Sequence, residues 1–419
     1  MNAWAQSSKA TSYIIRAVIY VIVGVGFTFA EYVWHIWSEK PCDPPDLSIE
    51  SALVTRKFYT YLTTMDWRKP ENRHATVVAV REDREPKELF ESFCLHREFL
   101  GKLIKEIGSH DPISIVVDNY ISDNTCPADQ QLKQTLTDIR VPVIIGQHTL
   151  NKKELEHFLG RSLAPAELKS FGRACLVMHD NLNLGLPAGH VSYGSIRFNA
   201  DSRKLPLSWP VFTSPANISD QDATTDMKTL AAQAAFTVPG VKVPDLETHP
   251  YTSFLRQDEI NVLSAIKVLC ANDSSGSDWR NCAGSGAQFD SALRHHVVFI
   301  GDDTDDDQHD TPAGTMPGVF VHANYLESLV GKRFFSPIKE RWQVICGILW
   351  LAFIELAYVK TRNPLIGLAV SFGGTALLWV SCAVFAILTG ILPVIWVPGA
   401  LALLLRFGEG IRERLMESK

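Results

Sequence analysis

The chain has 419 residues, a formal net charge of −6 and 46% hydrophobic residues, which gives room for two or three ordinary domains with ample core. An acidic balance without any long basic run excludes a nucleic-acid binder held by phosphate contacts. The near-neutral mean hydropathy averages two strongly apolar ends and a polar middle.

Residues 1–12 are polar. Tyr13 to Trp37, YIIRAVIYVIVGVGFTFAEYVWHIW, is mostly apolar and closes on an aromatic cluster. A signal peptide competes for this segment, but no small-residue cleavage site follows, and Trp34 and Trp37 suit a membrane-interface belt. The segment 13–37 therefore reads as an uncleaved anchor helix with its start in the cytoplasm. Pro41 to Pro45 is a linker, and a polar domain is expected over about 46–339.

Inside that domain, short apolar runs alternate with helical patterns. Thr76 to Val80 is a strand followed by Glu82 and Asp83, and Pro86 to Ile107 is helical. Ser114 to Val117 is a second strand, ending at Asp118. Ala128 to Ile139 is helical, and Val141 to Ile145 is a third strand ending at Gly146 and Gln147. Such alternation predicts a parallel sheet with crossover helices. Cys175 to Met178 and Gly194 to Asn199 are further strand candidates, Asp222 to Phe236 resembles an amphipathic helix, and Ile260 to Leu269 fits either state. The stretch from Arg294 to Val330 is the most informative: an apolar strand, Val297 to Ile300, meets Gly301 and a dense acidic loop. After Pro317 and Gly318 an amphipathic helix is expected from Val319 to Val330. Strand ends of this kind are where open α/β sheets place ligands.

Beyond Arg341 three apolar spans are expected, 342–359, 364–389 and 392–405, against the roughly 20 residues that a crossing needs. The last is short and contains Pro393 and Pro398. Lys360 and Arg362 separate the first two, and Arg406, Arg412 and Arg414 follow the last, so both 1–12 and 406–419 fall on the cytoplasmic side. The expected fold is an α/β extracytoplasmic domain with a mainly parallel sheet, plus a membrane domain of four transmembrane helices.

This architecture and these residues resemble the second class of CHASE domains, sensory extracellular modules associated with bacterial cyclases and histidine kinases. VVFIG, Asp310-Thr311-Pro312 and MPGVFVHANYLESL resemble the closing signature of that family, and FYTYLTTMDWRKP, TVVAVRED and IVVDNYISDNTCPADQQLKQTL its opening half. The resemblance implies a periplasmic domain on a multi-pass inner-membrane protein. Members usually continue into a cyclase, kinase or other output domain, whereas this sequence stops soon after its last apolar span. The expectation is an interaction subunit of a membrane or envelope complex, its partners being other envelope proteins and the bilayer. The alternative is a sensor that signals to a separate cytoplasmic cyclase, kinase or phosphatase.

Two constellations merit weighing. Asp302, Asp303, Asp305, Asp306, Asp307 and Asp310 invite a divalent cation, with Asp303, Asp305, Asp307 and His309 as candidate ligands. The spacing fails the EF-hand pattern, since Gln308 and Gly314 stand where glycine and glutamate are required; a solvated acidic loop is the competing reading. The second constellation is Asp83, Asp118, Gln147 and Asp302 at the strand ends, with Asp310 and His322, as a candidate ligand site. Its competitor is simple helix capping. No GxSxG, HExxH or phosphate-cradling loop points to catalysis. Arg16, Glu31 and Glu355 are ionisable residues inside spans, and an Arg16–Glu355 contact competes with snorkelling. Six of the eight cysteines lie in the polar middle, none in a CxxC pair, and Cys270 with Cys282 is the first candidate disulfide.

Overall fold

The computed structural model describes residues 73–392, interrupted at 122–125, 175, 179–190, 199–206, 216–217, 220–222, 244–250, 271–278, 283, 285, 338–344 and much of 346–363. The first expected span with Arg16 and Glu31, Glu355, Cys42, Cys175, Cys346, both chain ends and nearly all of 392–405 lie outside the described residues. The chain divides into two compact units, with the change between Phe334 and Phe335.

The larger unit is built on β1 (Ala75–Arg81), β2 (Ser114–Tyr120), β3 (Val143–Gln147), β6 (Val191–Ser195), β9 (Asn261–Ser264) and β10 (Val297–Asp303). They form one six-stranded sheet, ordered β9-β1-β10-β2-β3-β6, in which every pairing is parallel. Alternation of side chains explains its two cores. Val77, Ala79, Val116, Ile144 and Phe299 point to one face, where they meet α5 (Leu230–Ala235) and α7 (Gly318–Val330). Val78, Val80, Ile115, Val117, Val298 and Ile300 point to the other, against α1 (Phe93–Gly108), α2 (Asp129–Asp138) and α6 (Ala265–Leu269). Both faces are covered, so the strands are continuous apolar runs, as buried parallel strands require.

The expected parallel sheet is present, with several corrections. The helical pattern from Pro86 breaks at Ser92, which is extended and caps α1 through Leu95 N–H. The expected helix from Asp222 is half strand: β8 (Thr224–Lys228) precedes α5, because Thr224 and Thr225 favour extended backbone and Thr229 caps the helix. Ile260 to Leu269 is both states in succession, β9 then α6. The candidate strand at 175–178 is β5 (Leu176–Met178), but it belongs to a separate mixed sheet with β4 (Thr149–Leu150), β7 (Ser208–Phe212) and β8. The helix after Pro317 is α7, buried from Gly318 through Leu329 instead of amphipathic. Its polar residues make internal bonds: Asn324 accepts from Leu255 N–H at 2.6 Å and donates to Phe320 O, and Ser328 donates to Ser253 O at 3.0 Å.

Cys270 and Cys282 are joined as expected. A second disulfide, Cys94–Cys126, was not legible in sequence; beside the Arg97–Asp129 pair at 2.8 Å it ties the start of α1 to the start of α2. In the smaller unit α8 (Pro364–Thr389) is 26 residues long and carries no charge. Among the described residues, no helix is long and apolar enough to cross a membrane. Gly374 faces Trp350 and Phe353, whose rings stack at 5.2 Å.

Candidate functional site

The three central strands β1, β10 and β2 end together. Their register sets Val80 beside Asp302, Arg81 beside Asp303 and Ile300 beside Val117, so Gly301 comes level with Asp118. Gly301 is required there, because a Cβ would lie 2.7 Å from Val319 Cβ and 3.2 Å from Asp118 Cβ. That close approach lets the first turns of α7 lie directly over the strand ends.

Asp118 and His322 form the buried centre. The Asp118 side chain is 8% exposed and that of His322 1%, with His322 Nε2 at 3.5 Å from Asp118 Oδ1. Neither ring nitrogen closes a hydrogen bond of ordinary geometry, although the Ile196 backbone lies near enough to favour the charged ring weakly. Burial, then the nearby charges of Asp307 and Asp302, pushes the Asp118 carboxyl well above the usual carboxylate range. Burial also pushes His322 down, to about 3. Both causes favour a neutral acid beside a neutral imidazole.

Around this centre lies a more exposed rim. Asn119 donates to Asp302 Oδ2 at 2.9 Å, and His96 on α1 stands 3.4 Å from Asp302 Oδ1. Asp307 accepts from Gly318 N–H at 3.0 Å, anchoring the start of α7, and holds His309 Nε2 at 3.1 Å. Phe198, just after β6, lies tilted against His322 with ring centroids 4.4 Å apart and meets His309 edge-on at 4.6 Å. Arg81 lies 3.5 Å from Asp303, whose carboxyl is raised chiefly by burial.

The site thus gathers Asp118, Asp302, Asp307, His309 and His322 and adds His96, Asn119 and Phe198. Asp83 lies apart, 63% exposed and paired with Arg81 and Arg84. Gln147 ends β3 with its amide on His148 O. Asp310 accepts from Thr315 in the hairpin of β11 (Gln308–Thr311) and β12 (Gly314–Pro317). The acidic stretch is no loop: Asp302 and Asp303 finish β10, and Asp305 to Asp307 form one 3₁₀ turn. Among the described residues no group of three or more His, Cys, Asp or Glu side chains is arranged to hold a metal ion, so Asp303, Asp305, Asp307 and His309 do not assemble as ligands. Capping of the next helices falls elsewhere, to Ser92 for α1 and to Asn151 for α3 (Lys152–Leu159); Asp307 alone of the acidic stretch serves a helix start. Asn119 could have been noticed in sequence as the polar neighbour of Asp118, whereas nothing local singles out His96 or Phe198.

No curated protein and no solved structure matches the chain. The CHASE2 domain family matches residues 47–357, well over half of the sequence, and with the parallel sheet and its edge site in place the chain belongs to this family of extracytoplasmic sensor domains.

Proposed function

We propose that the chain is a membrane-anchored sensor whose extracytoplasmic α/β unit binds its signal at the strand ends and reports to a separate cytoplasmic signalling enzyme. The observation that carries this reading is the Asp118–His322 pair, two buried polar side chains that close no mutual hydrogen bond at 3.5 Å. Buried polar groups are normally satisfied, and the carboxyl ends of parallel strands, where this exception lies, are the usual place for a ligand site in an open α/β sheet.

The anchoring part of the proposal is supported by the smaller unit. Leu377, Val380 and Leu388 of α8 are 68%, 60% and 68% exposed, and Leu349 and Leu356 are 64% and 61% exposed. Apolar side chains so placed require an apolar solvent. We take 13–37, 342–359, 364–389 and 392–405 as the four spans, with the larger unit in the periplasm of a bacterial inner-membrane protein.

The second reading, a docking subunit of an envelope complex, draws on Phe93 and Phe158, which are 52% and 55% exposed on the larger unit. Purification from native membranes in mild detergent, followed by mass spectrometry, separates the two. Recovery of a cyclase, kinase or phosphatase supports the sensor; stoichiometric recovery of envelope proteins alone sinks it in favour of docking.

A further inference from the structure

We infer that the signal bound at the strand ends is the proton, taken up by Asp118 against His322, and that α7 passes its state to the beginning of β1. The inference rests on the sensor reading and names its ligand. Access narrows the ligand class: with the Asp118 side chain 8% exposed and that of His322 1%, the pair is within reach of water and a proton, and a larger ligand would need the fold to open. The rim supplies a path, since the side chains of Asp302, His309 and His96 are 31%, 34% and 19% exposed.

The charges facing Asp118 set the response. Asp302 comes from β10, Asp307 from the 3₁₀ turn and His322 from α7; the only side-chain contact of Asp118 among these is His322. Arg81 on β1 is turned to Asp83 and Asp303, His96 on α1 to Asp302, and His309 to Asp307. Asp305 and Asp310 lie farther out, the latter held by Thr315. Among the described residues no lysine or arginine is ion-paired with Asp118. When pH rises and the proton leaves through Asp302 to water, the new carboxylate repels Asp302 and Asp307 and draws the His322 ring N–H from 3.5 Å into a hydrogen bond.

α7 carries that movement because it is buried throughout and gripped at its other end. Five residues beyond His322, about 7.5 Å along the axis, Glu327 Oε1 accepts the backbone N–H of His74 at 2.6 Å and of Ala75 at 2.7 Å. Ala75 opens β1 and His74 immediately precedes it. A shift of α7 is thus felt where the chain enters the sheet, and four residues past the helix this unit ends at Phe334. One helix thus joins the proton site to the start of β1.

The test uses the full chain in lipid nanodiscs, with infrared titration of protonated carboxyls and hydrogen exchange of the peptide from His74 to Ala79. As pH falls through the titration of Asp118, whose carboxyl burial raises well above the usual carboxylate range, wild type should gain a protonated-carboxyl band, and exchange at His74 and Ala75 should change roughly fivefold. Asp118→Asn should lose both responses. His322→Phe, which keeps the packing on Phe198, should keep the band and lose the exchange response. A flat wild type, or a response that survives Asp118→Asn, overturns the proton site while leaving the sensor reading with another ligand. Persistence of the exchange response in His322→Phe overturns the route through α7. A cytoplasmic location of the domain, by contrast, would sink the sensor reading while the titration still stood.

Discussion

At the scale of single residues, Asp118 and His322 oppose each other in their effect on stability. The folded-state pKa of Asp118 is raised by burial, so the fold holds a proton that the unfolded chain releases near its ordinary value. Its contribution is fully present below the unfolded pKa and lost as pH rises through the folded one. His322 is depressed to about 3, so its contribution is present above about 6.5 and is lost as pH falls toward about 3. Asp118→Asn, a neutral stand-in for the acid, should raise stability at alkaline pH and remove the decline with rising pH. Chemical denaturation at several pH values checks this; an unchanged slope would show that Asp118 is ionised in the native state. His322→Phe should instead flatten the acid limb, read from thermal unfolding between about pH 6.5 and about pH 4.

At the scale of elements, close approach and cross-links decide what the sequence reveals. The parallel strands were legible because they are buried on both faces and therefore read as unbroken apolar runs, TVVAV, SIVV and VVFI among them. The second sheet was not, since β4, β5 and β8 are short and their register is set by tertiary pairing and not by pattern. α7 was legible as a helix but not in its environment: its polar residues at 322, 324, 327 and 328 mimic a solvated face, yet all four are buried. Half of the site could be read as carboxylates at strand ends; His96 and Phe198 come from 206 and 124 positions away from Asp302 and His322, distances that no local pattern spans. Two element-level outcomes follow. Gly301→Ala should cost about 1–3 kcal/mol, because Val319 must move off the strand, as urea unfolding would report. Replacing both Cys270 and Cys282 with Ser should cost about 2–4 kcal/mol, measured the same way; no change would mean the bridge is absent in the native protein.

At the scale of the whole molecule, the proposed function joins a sensor-family domain to apolar membrane spans. The proposed spans draw on α8, where Leu377 and Leu388 are each 68% exposed. A charge set there, Leu377→Arg, should reduce membrane insertion, at a cost of about 2.5–3.5 kcal/mol near a helix centre, and carbonate extraction of membranes would show the protein lost from the pellet. The measurement that bears most directly on the central claim is the side of the membrane on which the larger unit lies. A single cysteine introduced as Asp306→Cys, on the exposed 3₁₀ turn beside the site, can be challenged with a membrane-impermeant maleimide in cells whose outer barrier is opened. The account predicts labelling in intact spheroplasts equal to that after lysis. Labelling only after lysis would place the domain in the cytoplasm and contradict an extracytoplasmic sensor.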